Sequence, residues 1–126
     1  MKSITEEWLK KAEEDYLVAV REYKADPVAC HAVCFHSQQC IEKYMKALLQ
    51  EKGISFAKIH DLDILLKTCK DILPSLEEHR EELLWLTAFA VEVRYPGLIV
   101  DEEDALKAVN YTKKIRKILR EALNLR

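Results

Sequence analysis

Apolar residues recur every three to four positions along most of the chain, a spacing typical of amphipathic helices. The first predicted helix begins at Ser3, where Glu6 completes a capping box. Its apolar stripe is formed by Leu9, Ala12, Tyr16, Ala19 and Tyr23. The second predicted helix begins at Asp26-Pro27, a capping residue followed by a proline, and it ends at Gly53.

Three further helices complete the pattern. The third is short and covers about residues 60–73, before Pro74. The fourth covers residues 75–96 and starts with a capping box of Ser75 and Glu78. Asp101 caps the fifth, whose apolar side is formed by Ala105, Ala108, Val109, Thr112, Ile115, Leu119 and Ala122. Short connections predict an all-α fold, an antiparallel four-helix up-and-down bundle with an additional short helix, as a single domain over residues 1–126.

Composition supports this fold and limits the function. A chain of 126 residues with Gly 2 and Pro 3 has few turn formers, and its length suits a single core. The net charge of −2 provides no global basic field, so charge alone does not support non-specific binding to nucleic acid duplexes. The N-terminus lacks an apolar signal-peptide core, and no apolar run is long enough for a membrane span. We therefore expect a cytoplasmic protein with reduced cysteines.

The second helix carries more polar side chains than packing requires. Read at 3.6 residues per turn, one stripe consists of Gln39, Lys43, Lys46 and Gln50, and a neighbouring stripe of Gln38, Glu42 and Lys46. The opposite side is apolar and accounts for folding. The polar stripes therefore predict a binding surface.

The fourth helix is apolar on nearly all sides between residues 83 and 93. A small bundle cannot cover such a helix alone, which predicts a homodimer interface. The predicted interface consists of Leu83, Trp85, Leu86, Phe89, Ala90 and Val93. The alternative is a central helix that its own chain covers.

Several other residues could carry chemistry. Asp15 lies inside an apolar stripe, which predicts a structural ion pair with Lys43, Lys46 or Arg94, unless the side chain reaches solvent at the edge of the stripe. Cys30 and Cys34, near His31 and His36, share a helix face, but the second pair of ligands typical of zinc sites is missing, so no metal is expected.

Two motifs lie at the ends of predicted helices, His60-Asp61 at the start of the third and Arg94 near the end of the fourth. His60-Asp61 suggests a helix cap, since a catalytic pair would need a nucleophile or a scissile phosphate nearby. Arg94 suits either the helix C-terminal dipole or a phosphate.

These motifs together resemble small stand-alone prokaryotic HEPN-domain proteins (higher eukaryotes and prokaryotes nucleotide-binding). The resemblance covers nearly the whole chain. It depends on Trp8 with Ala12-x-x-Asp15, on Ser37-Gln38-Gln39-x-x-Glu42-Lys43-x-x-Lys46-Ala47-Leu48, and then on Gly53, His60-Asp61-Leu62-x-x-Leu65-Leu66 and Arg94-Tyr95-Pro96 in that order. It implies a helical bundle that forms a homodimer, often as the partner or substrate of a minimal nucleotidyltransferase in a toxin–antitoxin type module.

The ribonuclease branch of that family uses a motif Arg-x4–6-His near the dimer interface. Arg94 matches the arginine, but residues 98–101 are Leu-Ile-Val-Asp and no histidine follows Arg94. The chain therefore lacks the proton-transfer group that the motif implies. A tyrosine two positions after that histidine, the target of nucleotidyl transfer in some members, is also missing, because Tyr95 does not match its position.

The residues that still match the family pattern are polar, and we expect them to meet in a groove between the second and fourth helices. These residues are Gln39, Glu42, Lys43, Lys46, His60, Asp61, Arg94 and Tyr95. The groove could receive a nucleotide phosphate or an acidic partner surface, and no other cofactor is expected. Three hypotheses remain: a non-catalytic HEPN protein, a ribonuclease toxin that uses another base such as His60, and a purely structural helical interaction module.

Overall fold

The computed structural model describes residues 1–90 and 99–125, and these residues contain helices and no strands. The helices are α1 (Ser3–Lys24), α2 (Cys30–Glu51), α3 (Leu62–Cys69), a 3₁₀ helix (Pro74–His79), α4 (Arg80–Thr87) and α5 (Glu102–Ala122). The prediction of an all-α fold is confirmed. Val93, Arg94 and Tyr95 lie outside the described residues.

Side-chain contacts give the directions of the helices. Thr5 at the start of α1 bonds Glu51 at the end of α2, so α1 and α2 are antiparallel. Glu13 of α1 bonds Arg116 near the end of α5, while Tyr23 packs near the start of α5, so these two helices are also antiparallel. Glu82 pairs with Lys114 and Trp85 packs on Tyr111, so α4 and α5 are antiparallel as well. Helices α1, α2, α4 and α5 therefore alternate in direction, with α3 as the additional short helix.

The core lies around α2, which packs against both α1 and α5. Its fully buried side chains include Ile41, Tyr44, Met45, Leu48 and Leu49. None of the helices within residues 1–90 and 99–125 is long and apolar enough to cross a membrane.

The predicted start of α1 at Ser3 is confirmed, but its capping box is wrong, and so is the predicted start of α2. Ser3 is the first residue inside α1 and makes no capping bond, because contacts with Glu51 and Gln50 hold the N-terminus instead. Lys2 N–H donates to Glu51 Oε1 at 3.0 Å. Helix α2 starts at Cys30 and not at Asp26-Pro27, because Cys30 N–H bonds Val28 O at 3.0 Å in a tight turn before the helix.

The third and fourth predicted helices are shorter than expected. Helix α3 ends at Cys69, whose carbonyl closes a turn with the N–H groups of Ile72 and Leu73. The Ser75–Glu78 capping box is absent, because the segment that starts at Pro74 winds as a 3₁₀ helix around buried Leu76. The α-helix begins only at Arg80 and ends at Thr87.

Three predicted signals for the start or the end of a helix are confirmed. Asp61 caps α3 by accepting from Asp63 N at 2.8 Å, and Asp101 caps α5 in a full capping box with Asp104. Gly53, just after α2, has φ +70°, a left-handed conformation that glycine adopts without steric cost.

Candidate functional site

A buried polar cluster lies on α2, with the Glu42 carboxylate at its centre. Glu42 Oε1 accepts from Gln38 Nε2 at 3.2 Å, and Oε2 accepts from Lys46 Nζ at 2.9 Å. The His60 Nδ1 lies 3.0 Å from both oxygens. Gln39 Nε2 donates to Gln38 Oε1 at 2.6 Å and extends the cluster outward. Of the eight predicted groove residues, these contacts bring Gln39, Glu42, Lys46 and His60 together.

Lys46 does not have the role that the sequence suggested. Its side chain is only 6% exposed, and its ammonium group is paired with Glu42 and lies 5.5 Å from the centre of the Trp8 ring. A buried lysine that is already neutralised by a carboxylate cannot also serve as a phosphate clamp without breaking that pair. Lys43 and Lys46 therefore do not form a free pair of cations, and the phosphate-binding groove stays a prediction.

Lys43 belongs to a separate contact with Asp15 of α1. Its Nζ lies 2.6 Å from Asp15 Oδ2, and His36 Nδ1 lies 2.8 Å from Asp15 Oδ1. Asp15 is 8% exposed, so the carboxylate is buried and has two partners. Lys43 is one of the three partners that the sequence suggested, whereas the contact with His36 was not foreseen.

His60 is the accessible member of the buried cluster. Its side chain is 63% exposed, and Glu42 holds the ring through Nδ1. A carboxylate that fixes one ring nitrogen directs the other toward solvent, a geometry that suits proton transfer or hydrogen bonding to a ligand. The next residue, Asp61, uses its carboxylate to cap α3 and does not join the cluster.

A third polar network connects α1, α2 and α5, and the sequence interpretation missed it. Glu13 Oε2 accepts from Tyr44 OH at 2.6 Å and from Arg116 Nε at 2.8 Å. Arg120 Nη1 donates to Tyr44 OH at 2.9 Å. Although burial raises the pKa of Glu13, hydrogen bonds from Arg116 and Tyr44 outweigh it and hold that pKa below the usual value. The sequence did contain one signal for this network, because Arg116 and Arg120 stand at i and i+4 on the same side of α5.

The predicted dimer interface is only partly on the surface. Leu83 and Leu86 are 0% exposed in a single chain, so they belong to its own core, as the alternative of a covered central helix expected. Trp85, Phe89 and Ala90 are half-buried. Trp85 packs edge-on against Phe89, with ring centres 5.0 Å apart. A dimer surface on α4 would therefore use these half-buried residues and exposed Leu84.

The cysteines contribute to packing. Cys34, Cys40 and Cys69 are buried, and all four cysteines are free. Burial raises the pKa of the Cys69 thiol to about 12 and also raises that of Cys40, so neither is a thiolate at neutral pH. Within the described residues, no three His, Cys, Asp or Glu side chains are grouped to hold a metal ion.

Comparison with known proteins agrees with this architecture. The family model for the HEPN domain matches residues 5–122. The structure is similar to the crystal structure of an archaeal HEPN homologue, with a TM-score of 0.74 and 27% sequence identity over 96% of this chain and 98% of that chain. A search of curated proteins gives no match. The chain belongs to the HEPN domain family.

Proposed function

We propose that this HEPN chain is a binding protein and not a ribonuclease, and that it works as a homodimeric partner of a minimal nucleotidyltransferase in a toxin–antitoxin type module. The proposal depends on the residues that follow Arg94 in the sequence. The motif would place a histidine at one of positions 99–101, which hold Ile99, Val100 and Asp101. None of these side chains can both accept and donate a proton near neutral pH, as an imidazole can.

The described side chains at these positions have other roles. Ile99 is 86% exposed and apolar. Asp101 is committed to α5, because its carboxylate accepts from Asp104 N at 2.9 Å and its own N–H bonds Asp104 Oδ2 at 3.2 Å. These roles support the proposal that the ribonuclease centre of this chain is incomplete.

Exposed apolar side chains support the homodimer. Leu84 is 44% exposed next to the half-buried Trp85, and Ile99 adds further apolar area. Leu84→Glu places a charge on this face without entering the core, and we expect it to convert the dimer to monomers in light-scattering measurements. Leu17, 52% exposed on α1, provides the control, since Leu17→Glu should leave the dimer intact. Equal effects of both variants, or a parent that is monomeric, would remove this part of the proposal.

We further propose that the chain binds a nucleotide through accessible groups beside α2. The His60 side chain is 63% exposed and that of Lys43 is 21% exposed, so both can contact a ligand that remains outside the core. Calorimetry with ATP and GTP, comparing the parent with Lys43→Gln, tests this part.

Co-expression tests the partnership. The chain should elute together with a minimal nucleotidyltransferase encoded in the same genome, in a complex whose mass contains two copies of this chain. If the two proteins elute separately and neither nucleotide binds, the proposed function fails.

A ribonuclease that uses His60 is the second candidate, and one observation favours it. Glu42 orients the His60 ring through Nδ1 at 3.0 Å, as a carboxylate orients a catalytic histidine. This candidate requires RNA cleavage that is lost in His60→Ala.

A further inference from the structure

A basic groove runs along the second half of α5 and faces α1. We call it the α5 groove; its volume is about 350 Å³, and it is lined by Tyr16, Lys113, Arg116, Lys117, Arg120, Glu121 and Leu125. Four of these seven residues are cationic and one is anionic. The groove shares none of its residues with the Glu42 cluster or with the predicted dimer face.

The spacing of the cations places them on one side of the helix. Lys113, Arg116, Lys117 and Arg120 stand at i, i+3, i+4 and i+7, which are neighbouring positions on an α-helix. At a rise of 1.5 Å per residue, the row extends about 10 Å along the axis. Such a row is longer than one phosphate group and matches a ligand with several anionic groups in series.

Two of the four cations are held in place by the fold. Arg116 donates to Glu13 through Nε at 2.8 Å and through Nη2 at 2.5 Å, and its guanidinium lies 4.1 Å from the centre of the Tyr16 ring. Arg120 is fixed by its bond to Tyr44 OH. A ligand that binds these arginines does not have to order them, which lowers the entropic cost of binding.

The two lysines of the groove supply charge that the chain does not use. Lys113 and Lys117 are exposed and have no ion-pair partner among residues 1–90 and 99–125. By contrast, Lys114 between them pairs with Glu82. The net charge of −2 for the whole chain does not reveal this local excess of positive charge. Acidic residues are concentrated elsewhere, for example in the four glutamates of residues 77–82.

We propose that the α5 groove binds the sugar–phosphate backbone of single-stranded nucleic acid. A cationic groove that follows the backbone binds single strands without sequence preference, and here the cations carry that role because Arg116 already covers a face of the Tyr16 ring. Its concave shape and small volume suit a chain of nucleotides better than a protein surface, which needs about 800 Å² per partner. The inference goes beyond the proposed function and does not depend on it, because it requires neither a partner protein nor the Glu42 cluster.

Fluorescence anisotropy with a labelled ten-nucleotide oligouridylate, in EDTA and over a range of salt concentrations, tests the inference. Glu13 already pairs with both arginines, so the two lysines without ion-pair partners supply the contacts that release counterions. Two contacts at about 0.7 each predict a slope of about −1.4 for the logarithm of the association constant against that of salt. Lys113→Gln/Lys117→Gln should bring the slope close to zero and weaken binding more than tenfold at 50 mM salt.

A matched variant controls for net charge. Lys52→Gln/Lys70→Gln also removes two exposed lysines, but far along the chain from α5, and it should bind as the parent does. Circular dichroism confirms that each variant is folded. The inference is overturned if the parent does not bind, if both double variants lose the same affinity, or if an oligoglutamate of equal charge displaces the strand as well as unlabelled oligouridylate does.

Discussion

Lys46→Met tests how much the buried ion pair at the centre of α2 contributes to stability. Lys46 Nζ lies 2.9 Å from Glu42 Oε2, and the two side chains are 6% and 3% exposed. Methionine keeps most of the stem that packs near Trp8 but leaves the carboxylate without its cation. Removing one partner of a buried pair costs about 3–5 kcal/mol. Because Gln38 and His60 still donate to Glu42, we expect the lower end, about 3 kcal/mol.

Urea and thermal unfolding, followed by circular dichroism, measure this change. For a chain of this length, 1 kcal/mol corresponds to roughly 4 °C in Tm, so Lys46→Met should melt about 10 °C below the parent. Asp63–Lys67 provides a matched control, since it is also an i, i+4 pair but its lysine side chain is 63% exposed. Lys67→Met should change stability by less than about 0.5 kcal/mol.

A second substitution separates the charge from the packing. Glu42→Gln in the Lys46→Met background removes the unpaired charge and should recover part of the lost stability, which gives a favourable coupling energy in the double-mutant cycle. If Lys46→Met is no less stable than Lys67→Met, or if Glu42→Gln lowers stability further, the reasoning about the buried pair is refuted.

Three further predictions concern stability. Glu13 has a lowered pKa in the folded chain, so its contribution to stability is present at neutral pH and is lost as pH falls below about 4.5. The Tm difference between the parent and Glu13→Gln should therefore shrink in that range. Asp61→Ala removes the α3 cap and should cost about 1 kcal/mol in urea unfolding. Gly53→Ala places a β-carbon at φ +70° and should cost about 1–2 kcal/mol, although space is available.

The long helices of the fold could be predicted because their signals are local. The apolar stripe of α5 is buried in the structure at six of the seven predicted positions, all except Ala122. The side chains of Asp61 and Asp101 cap their helices by accepting from backbone N–H groups only two or three residues away. The false capping boxes at Ser3 and Ser75 fitted the same local pattern. Helix α1 nevertheless begins at Ser3, next to a long-range contact with Glu51, whereas the tight winding after Pro74 moves the start of α4 to Arg80.

The candidate site was harder to predict because its contacts span the chain. Helical spacing placed Glu42 and Lys46 on one stripe, but it could not show that both are buried and paired with each other. The bond of Tyr44 to Glu13, 31 positions away, has no local signal in the sequence. The basic row of the α5 groove was readable as i, i+3, i+4 and i+7, yet the net charge of the whole chain obscured it.

RNA cleavage by the purified protein most directly tests the central claim, that this HEPN chain is a binding protein and not a ribonuclease. The parent is incubated with labelled total RNA in EDTA, beside His60→Ala prepared in the same way. The account predicts that the RNA remains intact with both proteins, even at concentrations where single strands are bound. Fragments that form with the parent and not with His60→Ala would contradict it and establish the His60 ribonuclease instead.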